Sequence, residues 1–277
     1  MVAQQSAAAR IAPMAEDDFL ARADKALTGW ADPAAHLRTA LEKDDFELYC
    51  QPMLALSGAA AGTYPLGEVL VRLREEETSL LPPGEFLPAF EHYRMMPELD
   101  RWVVRHAVKR LLAGSRIHCL TLNISTQTLA DAEFPKFVSK QLGMNQVPAE
   151  RLAFEIDESD TLAQPEAALR FAVAARAAGC RLLLDGFGRR SVSFAAIKAL
   201  GVNFVKVDGS ITRKLLAGDG ARAKFDATLR VGEALGFAVV AECVEEQEIL
   251  DELKAMDVGF AQGFGIHPPR PIASVPS

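Results

Sequence analysis

The spacing of apolar and polar residues predicts that short buried strands alternate with amphipathic helices along most of the chain. An unbroken apolar run such as Leu182-Leu183-Leu184 is typical of a strand buried on both faces. The predicted strands are 46–53, 66–73, 117–125, 151–157, 181–187, 203–208, 237–244 and 258–264. Two helices are predicted within 16–43, divided at Asp32-Pro33, and a loop is predicted at 82–84. Further helices are predicted at 97–112, 129–142, 165–178, 194–200, 219–235 and 246–256.

The alternation of these elements predicts the fold class. Strands joined by helices at intervals of roughly 20 to 35 residues form parallel sheets, and eight such units close into a (β/α)8 barrel. The first two strands are expected to pair as neighbours because the link from Ser57 to Pro65 is short and rich in turn residues. A doubly wound open sheet is the alternative, but the chain lacks the glycine-rich motifs of nucleotide-binding open sheets.

Polar residues occur near the carboxyl ends of the predicted strands. They are Gln51, Glu68, Asn123, Glu155, Asp185, Lys206, Asp208, Glu242 and Gln262. A single carboxylate in a strand is usually an edge residue or part of an ion pair. Several around one barrel mouth are costly to bury unless positive charge lies among them. The carboxylates of this set and Asn123 offer oxygen ligands, and no His or Cys is among them. Ligands of this kind favour a hard cation such as Mg²⁺, Mn²⁺ or Ca²⁺.

Such a cation beside Lys206 suits hydrolysis of a phosphate ester, because the metal neutralises phosphate charge and lowers the pKa of a bound water. Lys206 either orients that water or only pairs with surplus carboxylates. Arg72 either clamps a phosphate or pairs with a carboxylate at the rim. The sequence leaves both pairs of alternatives open.

Composition narrows the class of protein. A length of 277 residues suits one large α/β domain or two small ones, and the net charge of −7 argues against general binding of DNA or RNA. The four cysteines are far apart and are interpreted as reduced core thiols. The sequence has no long apolar run and no signal pattern at its start, so we expect a cytoplasmic protein without a membrane span.

The strand-end residues fall into ordered motifs that resemble a known family. The motifs are Gln51-Pro52, Glu68-Val69-Leu70-x-Arg72, Asn123-x-Ser125, Glu155-Ile156-x-Glu158, Asp185-x-Phe187-Gly188, Lys206-Val207-Asp208, Ala241-Glu242-x-Val244-Glu245 and Gln262-Gly263-Phe264. In this order and spacing they resemble the EAL domain, the family of cyclic-di-GMP phosphodiesterases. The resemblance covers residues 45–271.

The resemblance implies a modified (β/α)8 TIM-type barrel with its first strand antiparallel, and two Mg²⁺ or Mn²⁺ ions that support hydrolysis of cyclic-di-GMP to pGpG. The implied ligands of the first metal are Glu68, Asn123, Glu155 and Asp185. The implied catalytic residues are Lys206, which would hold the nucleophilic water, and Glu242. The implied ligand-binding residues are Gln51, Leu70, Arg72, Asp208, Glu245 and Gln262, and Glu158 would support the loop after Asp185.

One motif departs from the family pattern of Asp-Asp-Phe-Gly. This chain has Gly186 where the second aspartate would ligate the second metal, which predicts one metal site and impaired or lost hydrolysis. Arg189 and Arg190, beside this position, would replace part of the missing charge or grip a phosphate. The loop 189–193 also differs from the usual Thr-Gly-Tyr-Ser-Ser, which leaves open whether Glu158 keeps its bracing partner.

These features predict a cyclic-di-GMP receptor that passes its signal to a protein partner. A slow phosphodiesterase is one alternative, and an interaction module without nucleotide binding is another. We expect a helical extension at 1–44, the barrel at 45–271 and a tail at 272–277. The extension is interpreted as a packing element rather than a docking arm or a linker remnant, and dimerisation through the barrel's helices is an expectation from the family.

Overall fold

The computed structural model of the protein describes residues 29–75, 79–190 and 192–275. The first predicted helix, which begins at Glu16, falls almost wholly outside these ranges. The strands are β1 (Phe46–Ala55), β2 (Leu66–Arg74), β3 (Leu80–Leu81), β4 (Cys119–Asn123), β5 (Leu152–Asp157), β6 (Arg181–Phe187), β7 (Phe204–Val207), β8 (Ala238–Ala241), β9 (Phe260–Ala261) and β10 (Arg270–Pro271).

One helix precedes β1, and the others follow β3 and lie between strands along the chain. They are α1 (Pro33–Glu42), α2 (Pro83–His92), α3 (Met96–Leu112), α4 (Thr126–Leu129), α5 (Phe134–Asn145), α6 (Glu158–Ala163), α7 (Pro165–Ala177), α8 (Phe194–Leu200), α9 (Gly209–Thr212), α10 (Asp219–Leu235) and α11 (Gln247–Ala255). Within the described ranges, no helix has both the length and the apolar character that a bilayer crossing requires.

The described strands form one sheet that closes into a ring. Around the ring the order is β1, β2, β4, β5, β6, β7, β8 and β9, and β9 pairs again with β1. β1 runs antiparallel to both of its ring neighbours, whereas every other pair in the ring is parallel. The closed barrel and its antiparallel first strand are therefore confirmed, and the open-sheet alternative is excluded.

The main hydrophobic core lies between the barrel and its helices. Trp102 of α3 packs against Phe46 of β1, with ring centroids 5.4 Å apart. Leu37 of α1 is fully buried in this same core, so the second predicted N-terminal helix packs into the core, where it contacts α2. Burial of large side chains of this kind stabilises a fold by about 1.5–3 kcal/mol each.

The predicted loop at 82–84 is wrong, because α2 begins there. Pro83 occupies the first helical turn, where its missing N–H has no intrahelical partner in any case. Gly84 and Pro88 lower the intrinsic helix propensity of the segment. Phe86 and Phe90, four residues apart and fully buried, provide the tertiary packing that outweighs this low propensity.

A second, smaller apolar cluster fills the inside of the barrel and supports the site above it. Its buried members are Met53, Leu66, Cys119, Ala153, Leu183, Phe204 and Val240, and Phe260 packs against them. They come from successive strands and form one layer, as expected for a barrel whose interior is filled by side chains. Because side chains alternate along a strand, the next inward-facing position lies two residues away from each of them.

Candidate functional site

A polar layer lies directly above the apolar layer inside the barrel. In the strands after β1, it is reached two residues further along the chain, at Glu68, Thr121, Glu155, Asp185, Lys206, Glu242 and Gln262. In β1 it is reached two residues earlier, from Met53 to Gln51, because β1 runs in the opposite direction. Because side chains alternate along each strand, polar residues that are far apart in the sequence form one ring at the barrel mouth.

The expectation that the site residues lie at or near the carboxyl ends of their strands is wrong for Glu68 and Gln51. Glu68 is the third residue of β2, which continues past the barrel mouth to Arg74 by pairing with β1 and β3. Gln51 lies inside β1 directly opposite Glu68 in the register. The carboxyl end of β1 points away from the mouth, so only the middle of this strand reaches the site.

Lys206 lies at the centre of the polar layer and is 1% exposed. Its Nζ lies 2.5 Å from Glu155 Oε2, 3.0 Å from Glu68 Oε2 and 3.6 Å from Asp185 Oδ1. Burial alone would lower the pKa of Lys206, but the three carboxylates outweigh it and hold that pKa well above its usual range. One ammonium group thus faces three carboxylates in a region of low dielectric.

Glu68 is stabilised as a carboxylate by several donors. Burial opposes its ionisation, but the charge of Lys206 and hydrogen bonds from Asn123 and Gln262 outweigh burial, so the pKa of Glu68 lies below its usual value. Asn123 Nδ2 donates to Oε1 at 2.9 Å, and Gln262 Nε2 donates to Oε2 at 2.9 Å. Gln262 also donates to Gln51 Oε1 at 3.2 Å, which links both ends of the polar ring.

The pKa values of Glu155 and Asp185 shift in the opposite direction from that of Glu68. Burial, followed by the charge of Glu68, raises the pKa of Glu155 to about 8, although its Oε1 accepts a hydrogen bond from the Thr121 hydroxyl. Burial also raises the pKa of Asp185. Asp185 Oδ1 is buried and makes no hydrogen bond with the described residues. Such an orphaned carboxylate oxygen beside two further carboxylates favours an added cation.

The residues of this cluster fit one divalent cation by their chemistry. Glu68, Asn123, Glu155 and Asp185 each offer an oxygen donor, and the Asp185 oxygen that makes no hydrogen bond lies among them. Among the described residues, no three His, Cys, Asp or Glu side chains are already arranged as a metal cluster. The carboxylates of Glu68 and Glu155 instead pair with the ammonium group of Lys206.

The position that the family resemblance assigns to a second cation lacks a carboxylate. Gly186 offers no carboxylate, and the guanidinium group of Arg189 lies where a side chain at position 186 would begin. This arrangement takes up the space and supplies positive charge of its own.

Two more carboxylates organise the loops above the ring. Glu242 Oε1 accepts a hydrogen bond from the backbone N–H of Gly209 at 2.6 Å, and burial raises the pKa of Glu242. Asp208 caps α9 through the backbone N–H of Ser210 at 2.9 Å and pairs with Arg189. These contacts tie the ends of β7 and β8 together.

Glu158 is fully buried beneath the loop that follows Asp185. Its Oε2 accepts a hydrogen bond from the backbone N–H of Arg190 at 2.7 Å, and its Oε1 accepts one from Val192 at 3.3 Å. The partners are main-chain groups, so this support does not require the side chains usual in the family.

Three implied ligand residues lie at the rim, away from the lysine cluster. Leu70 lines a largely apolar cavity of about 290 Å³ that Asn123 also lines. The Arg72 guanidinium lies over the ring of Tyr49, 5.3 Å from its centroid, and donates to the backbone carbonyl of Val71. Glu245 is exposed. The fold brings these residues to the same end of the barrel without direct contact with Lys206 among the described residues.

Sequence reasoning missed Thr121 and Asp157 as members of the site. Thr121 lies inside an apolar strand, yet its position two residues after Cys119 places it in the polar layer, so strict alternation would have identified it. Asp157 ends β5 opposite Asp185 and pairs with Arg189. A contact between residues 32 positions apart has no signal in the local pattern.

The closed barrel with its antiparallel first strand and polar ring places the chain among the (β/α)8-type barrel proteins. A comparison of sequences identifies the family. The EAL domain model matches residues 34–269, so the chain belongs to the EAL domain family, whose members act in cyclic-di-GMP signalling. Phosphodiesterases of this family generally depend on a divalent metal ion.

Particular relatives agree with this assignment. The chain is 31% identical over 87% of its length to the cyclic di-GMP phosphodiesterase PdeB of Shewanella oneidensis, but spans 28% of that protein. The first three curated relatives are all far longer, and the chain spans 28–35% of each. Among solved structures, the FimX EAL domain of Pseudomonas aeruginosa bound to c-di-GMP has a TM-score of 0.79, with 27% identity over 86% of this chain and 96% of that one. The PaMucR phosphodiesterase in complex with c-di-GMP has a TM-score of 0.78, with 26% identity over 86% and 97%.

Proposed function

We propose that this chain is a cyclic-di-GMP receptor: it binds the dinucleotide at the barrel mouth, and its hydrolytic activity is impaired or lost. The observation that carries the proposal is the retained polar ring, in which buried Lys206 faces Glu68, Glu155 and Asp185. Burying surplus carboxylates is costly, so a ring of this kind favours a functional role for the site over a structural one. The c-di-GMP complexes of FimX and PaMucR support the choice of ligand.

In this proposal one Mg²⁺ or Mn²⁺ ion would be held by Glu68, Asn123, Glu155 and Asp185. When bound, such an ion neutralises phosphate charge and lowers the pKa of a coordinated water. Lys206 would hold that water or stabilise developing charge, and Glu242 would act with it as a catalytic group. The dinucleotide would contact Gln51, Leu70, Arg72, Asp208, Glu245 and Gln262, and Glu158 would keep the loop after Asp185 in place.

Hydrolysis is proposed to be impaired because position 186 contributes no carboxylate. In a two-metal site, each ion stabilises one side of the in-line displacement, so a site with one ion loses much of the rate. A slow phosphodiesterase is the second candidate, favoured by the intact first-metal donors and Lys206. A pure interaction module is the third candidate, and the cost of the buried charges argues against it.

Calorimetric titration with cyclic-di-GMP in Ca²⁺, followed by an assay for pGpG in Mn²⁺, tests this proposal. We expect saturable binding with little or no product. Rapid production of pGpG would establish an enzyme, and absence of binding would leave the interaction module. Arg72→Ala should weaken binding, whereas the matched control Arg74→Ala, on the same strand but paired with partly exposed Glu47, should not.

The proposal also includes a cellular location and an oligomeric state. Cys50, Cys119 and Cys180 are free and buried, and burial raises the pKa of each thiol to about 12. Unreactive reduced thiols are consistent with a cytoplasmic location. A receptor also requires a protein partner, and a homodimer through the outer helices is included in the proposal. Size-exclusion chromatography with and without cyclic-di-GMP tests the dimer.

A further inference from the structure

Arg189 folds back over Gly186, three residues before it. Gly186 has a φ of +64°, in the left-handed region that favours glycine. A Cβ added at this residue would clash with Arg189 Nη2 and Arg189 Cζ. The guanidinium group therefore occupies the space in which the side chain of the usual second aspartate would begin.

The same guanidinium group joins the ends of three consecutive strands of the ring. Its Nη2 pairs with Asp157 Oδ2 at the end of β5, and its Nε lies 3.1 Å from Asp208 Oδ2, just after β7. Nε also lies 3.3 Å from the carbonyl oxygen of Gly186 in β6, to which it donates. Two carboxylates and a carbonyl thus converge on one fixed positive charge.

This cluster contributes little to stability but retains the capacity to bind an anion. The Arg189 side chain is 45% exposed, and ion pairs of such exposure are weak because water competes with them. Within the described part of the chain, Nη1 makes no hydrogen bond. A guanidinium held in one orientation with free N–H groups suits bidentate contact with phosphate oxygens.

We propose that Arg189 is a permanent cation in place of the second divalent ion, so that the chain takes up one divalent ion and grips a phosphodiester through this guanidinium. A guanidinium group carries charge but has no coordination position at which a water is activated. Replacing the second ion by a guanidinium group therefore preserves electrostatic attraction for the ligand but removes that ion's contribution to activating a water. The inferred contact between Arg189 and a phosphodiester rests on the proposed function. The number of bound divalent ions does not, because it can be measured without the dinucleotide.

The geometry assigns this role to Arg189 and not to its neighbour. The side chain of Arg190 is exposed and makes no hydrogen bond with the described residues, and only its backbone N–H is engaged, by Glu158. The two arginines therefore form a matched pair for substitution, with equal changes in charge and size at adjacent positions.

The first experiment counts bound Mn²⁺ by calorimetry and by the electron paramagnetic resonance signal of free Mn²⁺. We expect one ion for the wild type and two for Gly186→Asp/Arg189→Ala, which restores a carboxylate and removes the guanidinium. The control Gly186→Asn/Arg189→Ala should bind one, since Asn has the shape of Asp without its charge, and both tolerate positive φ. Two ions in the wild type, or a single ion in the Asp variant, would overturn the role of Arg189.

The second experiment titrates cyclic-di-GMP in Ca²⁺. Arg189→Gln should weaken binding about tenfold, the loss of one charge-assisted contact, whereas Arg190→Gln should leave the affinity within about twofold. Equal affinities for wild type and Arg189→Gln would contradict the phosphate contact and leave the receptor proposal intact. No binding by the wild type would contradict the receptor proposal itself, while the Mn²⁺ count would still decide the metal part.

Discussion

Lys206 and Glu155 form a direct ion pair inside the barrel, with Nζ 2.5 Å from Oε2 and neither side chain more than 1% exposed. Two further carboxylates share the same ammonium group. Neither partner is accessible to water that could replace the other. Loss of either one should therefore reduce the stability of the fold as well as change the chemistry of the site.

Lys206→Met is expected to lower the free energy of unfolding by about 3–5 kcal/mol, because it leaves buried carboxylates without their cation. Chemical denaturation in EDTA measures this loss. Adding Mn²⁺ should then stabilise the variant more than the wild type, since the carboxylates have lost their competing ammonium group.

The surface substitution Lys254→Met provides the control, because Lys254 and its partner Asp251 are about half exposed. It should change stability by less than about 1 kcal/mol. Equal losses for the two lysine variants would mean that the buried cluster does not depend on Lys206.

Thr121→Val should destabilise the protein by about 1–3 kcal/mol, because Glu155 Oε1 loses the hydroxyl that donates to it in a buried site. Thr121→Ser keeps the hydroxyl and should retain most of the stability. Thermal denaturation of the two variants separates the hydrogen bond from the volume of the side chain. A larger loss for the Ser variant would assign the effect to packing.

Glu158→Gln should loosen the loop after Asp185, because an amide nitrogen cannot accept from the backbone N–H groups of Arg190 and Val192. We expect a loss of about 1–3 kcal/mol and faster hydrogen exchange at these two amides. Glu166→Gln, at a side chain that is 92% exposed, makes the same chemical change without effect. Unchanged exchange in Glu158→Gln would show that the loop holds its conformation alone.

Asp100 should make stability depend on pH. Burial raises the pKa of this carboxyl to about 6, although it accepts hydrogen bonds from the hydroxyl and backbone N–H of Ser125. The folded state therefore holds the proton more tightly than the unfolded chain does. The resulting stabilisation, about 2–3 kcal/mol, is complete below about pH 4 and is lost as the pH rises through about 6.

Asp100→Asn remains uncharged, so its free energy of unfolding should vary less between pH 4 and 7 than that of the wild type. Asp251→Asn, at a side chain that is 62% exposed, should keep the wild-type profile. Parallel profiles for wild type and Asp100→Asn would locate the titrating group elsewhere.

Much of the fold was predictable because its signals are local. The apolar runs and helical spacing gave the strands of the ring, and the ordered motifs gave the antiparallel first strand through their resemblance to a family. Helix α2 was not predicted, because Gly84 and Pro88 disfavour a helix. Burial of Phe86 and Phe90 in the core determines its conformation instead. Propensity is a weak guide wherever tertiary packing is strong.

By itself, the sequence determined every member of the polar ring except Thr121, because a strand alternates its faces with a period of two and a closed barrel aligns those faces in layers. Only the tertiary structure decided that Glu158 is satisfied by main-chain groups, that Thr121 donates to Glu155, and that Arg189 lies over Gly186. The physical reason is that these contacts join separate strands and loops. Their geometry depends on how the whole ring closes and not on neighbours in the chain.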